Sequence, residues 1–173
     1  MIEREFIYII RDILHSAPFR GMKHYKHHIK GSVYAHSLRV AYLCYRHHKK
    51  HGGKGELAEL VRGALLHDYY LYDWHDREKG TRLHLFTHPR AALTNAMRDH
   101  PQLSRAQRDI IRHHMFPVTL CPPRTRAGWL VCYYDKVAAL CDYFGKNRWK
   151  KRKKERLHWG RKKVTLCETV CGR

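Results

Sequence analysis

Apolar residues recur at intervals of three and four along most of this 173-residue chain, which is the spacing of amphipathic helices. The first segment, MIEREFIYIIRDIL, places apolar side chains on one side of a helix at Ile2, Phe6, Ile9, Ile10 and Ile13. We find no convincing alternating segment of the kind that forms strands, and no internal repeat. The pattern therefore predicts an all-α fold, a single helical bundle in which the apolar faces pack on one another.

Capping residues and helix breakers divide this pattern into six helices. After the first helix, the predicted helices cover residues 33–50, residues 56–67, a segment that begins near 87, a segment that begins near 104, and residues 128–144. Thr87 is expected to cap the fourth helix, because Pro89 fits only the first turn of a helix. Ser104 and Gln107 have capping-box spacing at the start of the fifth.

The composition sets limits on partners and location. The chain has 35 basic and 15 acidic residues, a formal net charge of +20, which favours polyanionic or phosphorylated partners. It contains no stretch of about 18 apolar residues, so we expect no membrane-spanning helix. The charged N-terminal segment is not typical of a signal peptide, and the six cysteines form no C-x-x-C pair. We therefore expect free thiols and a cytoplasmic location.

The basic charge is concentrated at the C-terminus, where residues 145–173 hold 12 basic and 2 acidic side chains. We therefore divide the chain into a helical domain at 1–144 and a basic tail at 145–173. The tail residues tolerate helix, although the apolar face would be thin. Trp149 and Trp159 could stack on nucleic-acid bases, but a solvated tail is the favoured interpretation.

Charged residues follow an apolar helical run in LLHDYYLYDWH, where His67 and Asp68 come directly after two leucines. Five consecutive predicted helices each carry an imidazole or a carboxylate near an apolar face. A buried carboxylate without a partner is costly, and a metal ion shared by several such groups would offset that cost. The candidates are His36, His67, Asp68, His88, His113, His114 and Asp135.

The order of these residues resembles the HD-domain metal-dependent phosphohydrolases over roughly residues 1–144. The matching motifs are YAHSLRVA, LLHDYY, FTHPRAA, IIRHHMF and YYDKVAAL. The resemblance implies that His36, His67, Asp68 and Asp135 hold one metal ion. It implies a second ion at His88 and His114, with Asp68 bridging the two.

Adjacent helical residues point about 100° apart, so we expect one member of the pair His113 and His114 to face the metals. His114 is chosen because it resembles the I-R-x-H spacing of the family. Ligands rich in nitrogen and carboxylate oxygen favour divalent transition metals, namely iron, manganese, zinc or cobalt, over magnesium.

Such a site predicts hydrolysis of a phosphoester or phosphoanhydride by a metal-activated water, and we expect a phosphorylated small molecule of the nucleotide type as substrate. Asp68 would serve catalysis directly. Lys136 would contact a phosphate or remain solvated, and the two interpretations carry equal weight. Asp73 and Asp76 are candidates for protonating the leaving group, although a role in turns is favoured for both. His24, His27 and His28 precede the first ligand helix and could line the mouth of the pocket, but they are interpreted as surface residues.

Two other functions remain open on the sequence. One is a nucleic-acid phosphodiesterase that holds its polymer with the basic tail, and the other is a non-catalytic metal- or ligand-binding protein. No G-Y-P element follows His114, which argues against hydrolysis of cyclic dinucleotides. The six-ligand pattern looks closest to HD hydrolases of dinucleoside polyphosphates.

Overall fold

A computed structural model describes residues 2–27, 31–52, 55–75, 83–143, 156–159 and 162–165. Within these ranges the α-helices are α1 (Ile2–His15), α2 (Ala17–Gly21), α3 (Val33–His51), α4 (Leu57–Leu66), α5 (His84–Asp99), α6 (Arg105–His113) and α7 (Arg126–Tyr143). A short 3₁₀ turn at Met22–His24 follows α2. The all-α prediction is confirmed. Among the described helices, none has both the length and the apolarity needed to cross a membrane.

Helix α3 lies at the centre of the bundle and packs against both α4 and α7. Helix α4 also contacts α1 and α6, while α6 contacts α5 and α7. The side chains of Phe6, Ile10 and Ile13 on α1 are fully buried, as the helical spacing predicts. The central position of α3 matters for function, because it brings the first predicted ligand into the middle of the bundle.

Local sequence signals set several helix ends as predicted. Ser32 caps α3 by accepting a hydrogen bond from the Ala35 amide at 3.3 Å. Gly52 ends the helix with a φ of +65°, a conformation that favours glycine. The capping box of α6 is complete, with Ser104 and Gln107 each accepting a hydrogen bond from the backbone amide of the other.

The predicted start of the fourth helix is wrong. Helix α5 begins at His84, so Pro89 is its sixth residue, and Thr87 donates its hydroxyl to the Leu83 carbonyl instead of capping. The cause is tertiary packing. The buried His84 ring stacks on Trp74 with centroids 5.0 Å apart, and this contact stabilises an extra turn. Helix α2 was also not predicted; it lies in the segment interpreted as a loop.

The basic tail contains an antiparallel pair of strands, β1 (Arg156–Trp159) and β2 (Lys162–Thr165). No strand was predicted, and the helical tendency assigned to the tail is wrong over these residues. Leu157 and Trp159 alternate with basic residues, and this period of two fits a strand better than a helix. The domain boundary near residue 145 stays a prediction.

Candidate metal centre

The six side chains predicted as ligands converge in the middle of the bundle. Each comes from a different helix or helix end, except for the adjacent pair that follows α4. None is more than 7% exposed. They are His36 on α3, His67 and Asp68 after α4, His88 on α5, His114 after α6, and Asp135 on α7. Their role as metal ligands stays a prediction.

The Asp68 carboxylate lies between two sets of imidazoles. Its Oδ1 is 3.2 Å from His88 Nε2 and 3.3 Å from His114 Nε2. Its Oδ2 is 3.5 Å from His67 Nε2 and 3.4 Å from His27 Nε2. Each oxygen therefore faces its own pair of nitrogens, which is the arrangement required of a carboxylate that bridges two ions.

Asp135 adds a second carboxylate beside His67. Its Oδ1 lies 2.9 Å from His36 Nε2 and 3.6 Å from His67 Nε2. Because α7 packs directly against α3, the carboxylate reaches His36 across that helix interface. Two imidazoles and two carboxylates thus lie together, as the family resemblance implies for His36, His67, Asp68 and Asp135.

Backbone carbonyls fix the tautomers of three of the histidines. His67, His88 and His114 each donate Nδ1–H to a carbonyl three or four residues earlier in the chain. The acceptors are the carbonyls of Ala64, His84 and Ile111, at 2.8, 2.9 and 2.9 Å. With Nδ1 protonated, Nε2 of a neutral imidazole presents a lone pair, and this is how proteins orient histidines for metal binding.

The spacing of these lone pairs fits a bound ion. His88 Nε2 and His114 Nε2 are 2.9 Å apart, and two lone pairs at that distance repel unless a cation or a shared proton lies between them. In the described part of the chain, His67 Nε2 forms no hydrogen bond. The residues therefore fit divalent metal ions held by nitrogen and oxygen.

The electrostatics of the cluster favour ionised carboxylates. Burial acts to raise the pKa of Asp68 and of Asp135, but the surrounding histidines outweigh it and hold both pKa values well below the usual range. Burial lowers the pKa of His114, whereas for His88 the Asp68 carboxylate outweighs burial and raises the pKa. Opposite pKa shifts are expected if His88 and His114 share one proton. A bound cation would displace that proton.

His27 is a seventh member of the cluster, and its interpretation as a surface residue is wrong. It is 5% exposed, and its ring stacks on that of His36 with centroids 3.7 Å apart. The His27 amide donates a hydrogen bond to the Gly31 carbonyl at 3.1 Å. Gly31 has a φ of +96°, which favours glycine. His24 is exposed, as expected, and His28 lies outside the described residues.

No periodic signal in the sequence indicates His27, because it lies in a loop and meets its neighbours only through long-range folding. The concentration of histidines just before Ser32 is the one available hint.

The adjacent histidines at the end of α6 point in different directions. His114 faces Asp68, whereas His113 donates Nδ1–H to Asp109 Oδ1 at 2.8 Å. The structure thus places the residue chosen from the spacing in the cluster, and directs its neighbour toward a different carboxylate.

Lys136 lines the cavity above the cluster, but its ammonium group already has protein partners. It donates to the His114 carbonyl at 2.8 Å and to the Cys132 carbonyl at 3.3 Å. Lys136 is therefore not simply solvated, because it ties the end of α6 to α7 while adding positive charge beside the site. Contact with a phosphate stays a prediction.

Asp73 lies in an exposed turn and does not line the cavity. Its Oδ1 accepts hydrogen bonds from the His75 amide at 3.0 Å and from the His75 ring at 3.2 Å. The hydrogen bond from the His75 amide is the main reason that the pKa of Asp73 is below the usual range. The carboxylate is therefore ionised and a poor proton donor. This geometry supports the turn role. Asp76 lies outside the described residues.

A cavity of about 160 Å³ opens onto the cluster. Its walls include Asp68, His88, Asp135 and Lys136, together with the aromatic side chain of Tyr70. A ligand that enters this cavity therefore meets both carboxylates and at least one of the histidines.

Comparison with known proteins agrees with this geometry. No curated protein and no solved structure matches the chain. The model of the HD domain family matches residues 33–140, more than half of the chain, and this span includes all six predicted ligands but not His27. HD domains bind divalent metals and are in general metal-dependent phosphohydrolases. The chain belongs to the HD domain family.

Proposed function

We propose that this chain hydrolyses a phosphoester or phosphoanhydride bond of a small, nucleotide-like substrate at a site for two metal ions. The observation that carries the proposal is the position of Asp68, with each carboxylate oxygen facing a separate pair of imidazole nitrogens. A site for one ion would not need two sets of donors around one carboxylate.

Bound divalent ions lower the pKa of a coordinated water and neutralise the oxygens of a phosphate in the transition state. The chain's own residues prepare the site for them. The ionised Asp68 and Asp135 supply negative charge, and the carbonyl-anchored histidines present fixed nitrogens. Burial of the cluster limits competition from bulk water and strengthens these electrostatic interactions.

The size of the cavity supports a substrate that inserts one phosphate group. At about 160 Å³ it is smaller than the roughly 300–1,000 Å³ typical of pockets that enclose a whole ligand. The rest of the substrate would extend over the mouth, where Leu85 and Val118 are 48% and 40% exposed. An apolar base or sugar face fits such a surface, and the net charge of +20 attracts phosphorylated molecules.

The experiment is a substrate panel with protein loaded with manganese, iron, cobalt or zinc. It compares mononucleotides, dinucleoside polyphosphates and single-stranded oligonucleotides, with His36→Ala as the inactive variant and His113→Ala as the matched control. We expect wild-type protein and His113→Ala to release product from at least one small substrate, and His36→Ala to release none.

Two results would favour the other functions. Metal binding without turnover of any substrate would indicate a non-catalytic protein. Cleavage restricted to oligonucleotides, and lost on removal of residues 146–173, would indicate a nucleic-acid phosphodiesterase that uses its tail.

A further inference from the structure

The Tyr70 side chain lines the cavity and carries a buried hydroxyl. The residue is 2% exposed, and its hydroxyl forms no hydrogen bond within the described part of the chain. It lines the same cavity as Asp68 and Lys136. A buried phenol without a partner destabilises a fold, so its presence here indicates an acceptor that arrives from outside the protein.

Several interactions hold Tyr70 in this position. The Asn95 side-chain amide donates to the carbonyls of Tyr69 and Tyr70, at 3.1 and 2.9 Å. Leu71 has a φ of +56°, a region that non-glycine residues rarely adopt. The Tyr70 ring meets the rings of His84 and His88 edge-on, with centroids 4.8 and 5.7 Å away. The backbone is thus strained and clamped next to the residue that lines the cavity.

We propose that the Tyr70 hydroxyl donates a hydrogen bond to a non-bridging phosphoryl oxygen of the bound substrate. This inference rests on the proposed function and adds a substrate-positioning residue to it. A phenolic hydroxyl can donate a hydrogen bond to a phosphoryl oxygen. The Asp68 oxygens in the same cavity already face imidazole nitrogens. An entering phosphate supplies the acceptor that the hydroxyl lacks.

The test compares Tyr70→Phe with Tyr69→Phe, which removes a hydroxyl from the adjacent residue. Tyr69 donates to Asp99 Oδ2 at 2.9 Å and does not line the cavity. Both variants, loaded with manganese, are compared with wild type for metal content, melting temperature and the affinity for inorganic phosphate measured by calorimetry. Where a substrate is turned over, kcat/KM is measured as well.

We expect Tyr70→Phe to keep its metal, to melt at or above the wild-type temperature, and to lose about ten- to a hundredfold in phosphate affinity. Tyr69→Phe should melt lower and bind phosphate as wild type does. Unchanged phosphate affinity in Tyr70→Phe, loss of its metal, or no phosphate binding by the wild type would overturn the inference. Wild-type protein that binds phosphate through Tyr70 but hydrolyses nothing would refute the proposed function and leave this inference intact.

Discussion

Two clusters of aspartate and histidine lie near the end of α6, and they differ in how their polar atoms are paired. The metal centre described above is one. The other, which we call the capping cluster, consists of Asp109, His113, Arg124 and Thr125. There the Asp109 carboxylate accepts hydrogen bonds from the Arg124 amide, the Thr125 amide and hydroxyl, and the His113 ring, at 2.7 to 3.1 Å.

In the capping cluster every acceptor meets a donor, whereas in the metal centre imidazole lone pairs face one another and face carboxylates. The first arrangement stabilises the start of α7. Gly128 shows how closely that junction packs, because a Cβ there would lie 2.8 Å from Asp109 Oδ2. The second arrangement is unfavourable unless a cation or shared protons lie between these atoms. A fully satisfied cluster indicates a structural role, and a cluster of facing acceptors indicates a ligand site.

The largest effect is expected from Asp68→Ala. This change removes the oxygens that face both pairs of imidazoles, so the variant should lose both metal ions and its hydrolytic activity. Loss of several kcal/mol of transition-state stabilisation, at roughly 1.4 kcal/mol per tenfold, corresponds to about a thousandfold or more in rate. Elemental analysis and the substrate assay are the measurements. An Asp68→Ala protein that keeps two ions would show that the carboxylate does not bridge.

Substitution of the two adjacent histidines should show that the two clusters have different roles. His114→Ala should lose at least one metal ion and most of the activity. His113→Ala should keep both and lose about 1 kcal/mol of unfolding free energy, the value of a typical hydrogen bond. Metal content and chemical denaturation measured on both variants make the comparison. Equal damage to metal binding from the two changes would mean that the clusters are not distinct.

Asp109→Ala should affect stability and leave metal binding unchanged. Removing an acceptor of several partly buried donors is expected to cost about 2–4 kcal/mol of unfolding free energy. At roughly 2–4 °C per kcal/mol for a chain of this size, the melting temperature should fall by about 5–15 °C. A drop in metal content in the folded variant would contradict the separation of roles.

The Asp109 carboxylate also predicts that the unfolding free energy depends on pH. Burial acts to raise the pKa of Asp109, but the Thr125 and Arg124 hydrogen bonds outweigh it and hold the pKa below the usual range. The ionised carboxylate therefore stabilises the fold fully above its unfolded pKa of about 3.9. That contribution is lost as the pH falls through the lower folded pKa. The difference in unfolding free energy between wild type and Asp109→Ala should shrink over that range.

The sequence predicted features that depend on nearby residues or on spacing along a helix. The Ser104–Gln107 capping box is local, and the buried face of α1 follows from its period. Both were predicted and both are present. The inward direction of His114 followed from its resemblance to a family spacing, and the structure places it accordingly.

Features that depend on distant contacts were missed. The early start of α5 depends on Trp74, ten residues before His84. His27 contacts His36 at the centre, but it lies in a segment whose sequence has no helical or strand periodicity. Tyr70 appeared as one aromatic residue among several in an apolar-looking segment. Its unpaired hydroxyl becomes evident only when the surrounding helices are in place.

The smallest effect on the metal centre is expected from removing residues 146–173. All seven cluster residues precede this segment, so the truncated protein should keep its metal content and its rate on small substrates. Any oligonucleotide binding should weaken and should fall steeply with salt, because the tail holds much of the positive charge. A thermal melt and a salt series on both forms test this. A truncated protein with a much lower melting temperature and no turnover would place the tail within the fold.

The number of metal ions per chain tests the central claim most directly. The measurement is elemental analysis by mass spectrometry of protein purified without chelator and then reconstituted in turn with iron, manganese, zinc and cobalt. Two sets of donors around Asp68 predict close to two ions per chain with at least one of these metals. A stoichiometry of one or less with all four metals would contradict the dinuclear centre.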